Sequence, residues 1–251
     1  MATTGGSRAE LRRTVALACR ILAMQGLVKE TTGHVSARLP GTDRMLIRAR
    51  GRGESGLLFT RDEEIIETDF DGSDVARDAP LTTPQELPIH GESYRARPDV
   101  GAVVHAHPPA ILLCGITGVE LRPIFGAYDP SALKLALDGI PIYPRSITLT
   151  RPELAQDMLA CMAGGDVCVL RGHGITVLGR SVEEATIKAI KLETLARINW
   201  LAHQSDVPPI SEEDQAVYRS LDRGGGGAMA VWRSYVGMLE TRSSPAPFEG
   251  L

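Results

Sequence analysis

The sequence lacks several things, and each shortage closes off a class of protein. No apolar run approaches the length of a membrane span, and the opening residues Met1-Ala2-Thr3-Thr4-Gly5-Gly6-Ser7 hold no apolar segment of the kind that begins a secretory signal. A cytoplasmic protein is the expectation. Neither sign of charge is in excess: 27 basic and 31 acidic side chains are interspersed and leave a net charge of −4, so no footprint for nucleic acid is expected. Cysteines are few. Cys19, Cys114, Cys161 and Cys168 lie far apart in apolar surroundings with no Cys-x-x-Cys pair, and read as reduced core residues. There is no internal linker, and no repeat or low-complexity tract beyond the glycines at 224–227. The chain has 251 residues, 43% of them hydrophobic, enough to bury a full core as one domain.

What is present is a mixture of helical and strand patterns. Leu11, Val15, Ala18, Cys19 and Leu22 recur at helical spacing over 9–25, with Gly26 as the C-cap. Strands are expected at 31–38 and 45–51, joined by the turn Pro40-Gly41-Thr42-Asp43, and at 65–70 before Asp71-Gly72. The spacing predicts a helix over 84–97, a strand over 100–107, helices over 109–114 and 131–137, and another entered through Pro152 and ending at Met162. A short apolar strand over 166–171 delivers Gly172-His173-Gly174. Ser181 and Glu184 fit a capping box that opens a long helix to about His203, with Ala185, Leu192, Leu195 and Ile198 in its apolar stripe. After Pro208-Pro209 a short acidic helix is expected, then a hinge at 224–227 and a terminal helix over 228–239 carrying Trp232 and Tyr235. Helices and strands mix without strict alternation, which predicts an α/β sheet with helices on its faces.

The residues that carry chemistry are His105 and His107. Two positions apart on a strand, they project from one face, which is a chelate geometry. A third imidazole would complete a catalytic metal site with coordination positions open to substrate, and His173 is the candidate. The competing reading is two partly buried strand histidines bonded to backbone carbonyls.

Along the chain stand, in order, Gly33-x-Val35-Ser36-x-Arg38, then Glu86-x-x-x-His90-x-x-x-Tyr94-x-x-Arg97-Pro98-Asp99-Val100-x-Ala102-Val103-Val104-His105-x-His107, then His173-Gly174. This order resembles the class II aldolase/adducin family over roughly residues 11–204. The resemblance implies a single three-layer α/β domain over 8–205, with a central, largely antiparallel sheet between helical layers. It also implies a cyclic homotetramer with active sites at subunit boundaries. One divalent metal ion per subunit would be held by His105, His107 and His173, with Glu86 as the acid/base that also touches the metal when substrate is absent. Such ligands suit zinc or manganese first, then iron and cobalt. The plain alternative for Glu86 is a first-turn carboxylate meeting free N–H groups after Pro84. An adducin-like protein lacks this ligand set, so the intact trio argues for an enzyme. Residues 206–251 are expected to form a C-terminal helical extension, either a lid or a helix packed on a neighbouring subunit.

Around the metal the sequence departs from the family's sugar-phosphate aldolases. Where those carry hydroxyl-rich phosphate-binding residues, this chain has His34, Arg48-Ala49-Arg50-Gly51 and Pro84-Gln85. Arginines fork onto carboxylates, so Arg48 and Arg50, with Ser36, are expected to bind a substrate bearing more than one acidic group. The alternative places both arginines on a solvated strand face. Residues 46–59 and 122–128 resemble the family's decarboxylases of hydroxylated aromatic or pyridine dicarboxylates. The expected function is therefore metal-dependent, non-oxidative decarboxylation of such a small-molecule carboxylate, a carbon–carbon lyase reaction. Glu86 or a metal-bound water would protonate the ring carbon, with Tyr128 and His34 as extra proton donors. Tyr128 is equally a loop-closing residue, and His34 a turn residue. A sugar-phosphate aldolase or epimerase is the runner-up, and an adducin-like non-catalytic interaction protein is the reading from another class.

Overall fold

Ser7 opens the first helix through a reciprocal capping box: its hydroxyl accepts the Glu10 N–H while the Glu10 carboxylate accepts the Ser7 N–H. That helix, α1 (Arg8–Met24), buries Val15, Ala18, Cys19 and Leu22. The computed structural model describes residues 7–221 and 226–241. Seven strands form one sheet: β1 (His34–Arg38), β2 (Arg44–Arg48), β3 (Ile65–Asp69), β4 (Ala102–Ala106), β5 (Ile142–Tyr143), β6 (Val167–Leu170) and β7 (Gly174–Gly179), in the order β3-β2-β1-β4-β7-β6-β5. All pairings are antiparallel except β5 with β6.

Period-two alternation sorts the strand residues between two cores. Val35, Ala37, Leu46, Val104 and Val177 join a core with α1, α3 (Pro109–Thr117), α4 (Pro130–Ala136) and α6 (Val182–Ala202). Met45, Ile47, Val103, Cys168 and Leu178 join the other, with α2 (Leu87–Ala96) and α5 (Pro152–Met162). Each fully buried aliphatic side chain contributes about 1.5–3 kcal/mol of transfer free energy. The result is the expected three-layer α/β arrangement, helices on both faces of one mixed, largely antiparallel sheet.

The expected helices are present, including the short acidic one, α7 (Glu212–Ser220). Strands β5 and β7 are absent from the sequence-based reading. One is two residues long, and the other is buried on both faces, so neither shows polar alternation. β4 stops at Ala106, which leaves His107 outside the sheet. The last helix, α8 (Gly226–Thr241), packs on α1 and α6 with Trp232 only 6% exposed and Tyr235 beside it. Both aromatics pack on this chain's own core. Part of the expected hinge at 224–227 lies outside the described residues. Among the described residues no helix is long and apolar enough to cross a membrane.

Candidate metal and active centre

Three chain segments end at one point. β4 carries His105 on its α2-facing side, next to Val103 in register. The chain then leaves the sheet, and His107 is fixed by donating its N–H to the Leu27 carbonyl at 3.0 Å. Immediately afterwards α3 begins at two prolines with no side-chain cap of its own. The half-buried carboxylate of Glu193, on α6, supplies one by accepting the N–H groups of Ala110 and Ile111 at 3.0 and 3.1 Å. The tight connection from β6 to β7 carries His173, whose N–H is donated to the Leu170 carbonyl. Only glycine fits next to it: a Cβ on Gly174 would stand 2.2 Å from the Ala106 carbonyl oxygen and 2.8 Å from His107 Cδ2.

Glu86 occupies the N-cap of α2, yet its carboxylate caps nothing. It turns toward the imidazoles instead, and accepts the Leu149 N–H at 2.9 Å. His105 Nε2 lies 2.9 Å from His107 Nε2 and 3.2 Å from Glu86 Oε2, which is 3.6 Å from His173 Nε2. One ligand atom from each of these four residues lies within 4.8 Å of all the others. His105 and His107 thus converge, one from within β4 and the other from the residue just past its end.

Burial holds His107 down to about 3, and the charges of His105 and His173 add to the effect. Burial alone would push Glu86 up. Its hydrogen bonds to His105 and His173 outweigh that and hold it well below the usual carboxylate range. A neutral imidazole beside an ionised carboxylate is the state a divalent cation requires of its ligands. Among the described residues Nδ1 of His105 and of His173 has no partner, so these rings commit their Nε2 sides, and those sides converge. Three nitrogens and an oxygen aimed at one point, from buried Glu86 and His105 and half-buried His107 and His173, fit a divalent ion.

The other expected site residues divide. His34 joins the cluster: it pairs with His105 across the strands, stacks on it at 4.9 Å between centroids, and places Nδ1 2.7 Å from His90 Nε2. Ser36 is a correction. It is fully buried, with Oγ 2.6 Å from both His90 Nδ1 and the Tyr94 hydroxyl, so it does not face a substrate. Arg48 is a second correction. It shares the α1-facing side of β2 with Leu46 and has no exposed surface. Its guanidinium is committed to Thr60 Oγ1 at 3.0 Å, to the Ala49 and Ser55 carbonyls, and to Glu64 at 3.5 Å. It is neither solvated nor open to a ligand. Arg50 lies beyond the end of β2, bonded to the Thr31 carbonyl and, at 3.2 Å, to Glu54. Its charge helps to depress His34 and His107, which places it in the field of the cluster. Tyr128 is 63% exposed and edge-on to Phe125.

His90 and Tyr94 receive no role from sequence reasoning. Glu86, His90 and Tyr94 stand four apart, one stripe of α2, and that spacing is the signal that finds them.

Fold and centre together define the class. Residues 13–200 match the family described as Class II Aldolase and Adducin N-terminal domain, and the chain belongs to it. Within that family it is 42% identical to a 3,4-dihydroxyphthalate decarboxylase of Arthrobacter keyseri, over 77% of this chain and 79% of the relative. A 3,4-dihydroxyphthalate decarboxylase of Terrabacter sp. (strain DBF63) is 40% identical over 94% of this chain and 99% of its own. Among solved structures, an aldolase II superfamily protein from Pseudomonas syringae shares the fold with a TM-score of 0.81 at 22% identity, over 96% of each chain. Sugar-phosphate aldolases are more distant relatives, and the family's enzymes depend on a divalent metal.

Proposed function

We propose that this chain is a metal-dependent carboxy-lyase that removes carbon dioxide from a hydroxylated phthalate, with 3,4-dihydroxyphthalate as the substrate to try first. One observation carries the reading: the Glu86, His105, His107 and His173 cluster stands intact in a chain about 40% identical to decarboxylases of that compound. All of its residues fall within 8–205. His105, His107 and His173 would hold the ion, zinc or manganese by the donor set, with iron and cobalt next. When bound, that ion supplies an electrophile able to draw electron density from a phenolic oxygen and its neighbouring carboxylate.

The chain's own groups do the proton work. Glu86, ionised and pointed into the centre, takes the phenol proton and returns it to the ring carbon that bears the departing carboxylate. The carbon–carbon bond then breaks, its electron pair stays in the ring, carbon dioxide leaves, and water returns a proton to the phenolate oxygen. Arg50 holds the second carboxylate, since its charge already reaches the cluster. Tyr128 stands on the surface, as does Phe59 at 68% exposure, which suits a homotetramer whose sites lie at subunit boundaries. There Tyr128 acts as a further proton donor.

The test is to incubate the metal-loaded protein with 3,4-dihydroxyphthalate and, separately, with a ketose phosphate. Carbon dioxide from the first supports the reading. Aldehyde from the second, with none from the first, replaces it by the sugar-phosphate aldolase.

A further inference from the structure

Behind the ligand histidines lies a second row of polar groups. His90, fully buried on α2, has both nitrogens engaged: Nε2 is 2.7 Å from His34 Nδ1, and Nδ1 is 2.6 Å from Ser36 Oγ, which is 2.6 Å from the Tyr94 hydroxyl. Two residues of β1 and two of α2 thus form one unbranched string. His34 is its outer end. Its Nε2 has no hydrogen-bond partner among the described residues, and the ring stacks on His105 with 2% of the residue exposed.

The direction of the string follows from where its protons can go. Tyr94 keeps its proton, because burial pushes its pKa up; its side-chain partner is Ser36 Oγ, and the Val103 backbone N–H meets the same phenol oxygen as a donor. If Ser36 donated to Tyr94 instead, the phenol proton would be buried with no acceptor, an arrangement folded proteins avoid. Tyr94 therefore donates to Ser36, and the Ser36 proton goes to His90 Nδ1. His90 is neutral, held down to about 3 by burial and then by the charge of His105. A neutral imidazole that accepts at Nδ1 carries its proton on Nε2. That proton is donated to His34 Nδ1, which leaves the His34 proton on Nε2.

We propose that Tyr94, Ser36 and His90 are positioning residues that fix His34 as its Nε2–H tautomer, so that His34 offers a neutral hydrogen-bond donor to an anionic oxygen of the substrate beside the centre. In this form His34 is neither a base nor a metal ligand, because its open nitrogen has no free lone pair. Nor does it add positive charge beside three ligand histidines. The identity of the oxyanion, a carboxylate or phenolate, rests on the proposed function; the tautomer does not.

Histidine labelled with nitrogen-15 in the zinc-loaded protein reports the tautomer through long-range proton–nitrogen correlations, and His34→Asn identifies the signal. The expected wild-type His34 has an unprotonated Nδ1 and a protonated Nε2. Ser36→Ala and His90→Gln break the string and are expected to populate both tautomers. Each should also raise KM for 3,4-dihydroxyphthalate about tenfold or more, with kcat changed less. Ser36→Thr keeps the hydroxyl and should restore one tautomer and the KM. A wild-type His34 protonated at Nδ1, or at both nitrogens, overturns the proposal, as does an unchanged His34 spectrum in both breaking variants. The expected tautomer in a protein that leaves 3,4-dihydroxyphthalate untouched sinks the proposed function while supporting the string.

Discussion

On the α1 side of the sheet Arg48 is sealed in with Glu64, Thr60 and two backbone carbonyls; on the α2 side buried Glu86 meets three imidazoles, two of them half-buried. In the first cluster donors meet acceptors throughout, and Glu64 also accepts the N–H groups of Ser55 and Arg61. The second is the reverse. One carboxylate oxygen faces three imidazole nitrogens gathered within 4.8 Å of one another, an arrangement that a cation would complete. Buried polarity alone therefore marks nothing about function. A buried set whose groups do not neutralise one another does.

Substitutions can break this contrast. The largest effect should come from Glu86→Gln, which is expected to lower kcat about a thousandfold while leaving the melting temperature nearly unchanged. Carbon dioxide release and calorimetry read the two quantities, and a large loss of stability with normal turnover would invert the comparison. Arg48→Met should do the opposite. It takes the buried cation away from Glu64, which keeps the exposed Arg61 guanidinium at 3.5 Å, a loss of about 3 kcal/mol by denaturant titration, with turnover per folded molecule retained. The double variant Arg48→Met with Glu64→Gln should recover most of the stability.

A smaller effect concerns pH. His90 is held down to about 3 in the fold, from an ordinary value of 6.5, by burial first and the charge of His105 second. Between those values the unfolded chain binds a proton that the folded chain refuses, so stability falls as pH drops below 6.5 and the decline ends near 3. The slope for this one group is about 1.4 kcal/mol per pH unit. His90→Gln should flatten the stability–pH curve by one proton, and an identical slope would remove His90 as its source. Smallest is Arg50→Gln, expected to raise KM for a dicarboxylate about tenfold with little change in kcat. An unchanged KM would leave Arg50 with only its Glu54 and Thr31 contacts.

The histidine trio was legible in the sequence because histidines are rare and chemically distinctive, and the start of α6 because Ser181 caps it by local rules. The direction of Arg48 was not. Both sheet faces are covered, so a polar residue in β2 gives no sign of which layer it enters, and its partners Thr60 and Glu64 come from a loop whose path is set by tertiary packing. β7 was hidden for the same reason, as an apolar run without alternation. The partnership of His34 with His90 depends on β1 crossing α2, a contact between residues far apart in the chain that no local pattern encodes.

The carboxylate that starts α3 sits on a different helix and touches no ligand atom, yet it grips the chain three and four residues beyond His107. Laboratory evolution aimed at new substrates commonly randomises only the pocket walls. Here Glu193 gives a remote handle on how one imidazole is presented, one that mutagenesis of the immediate surroundings would never sample.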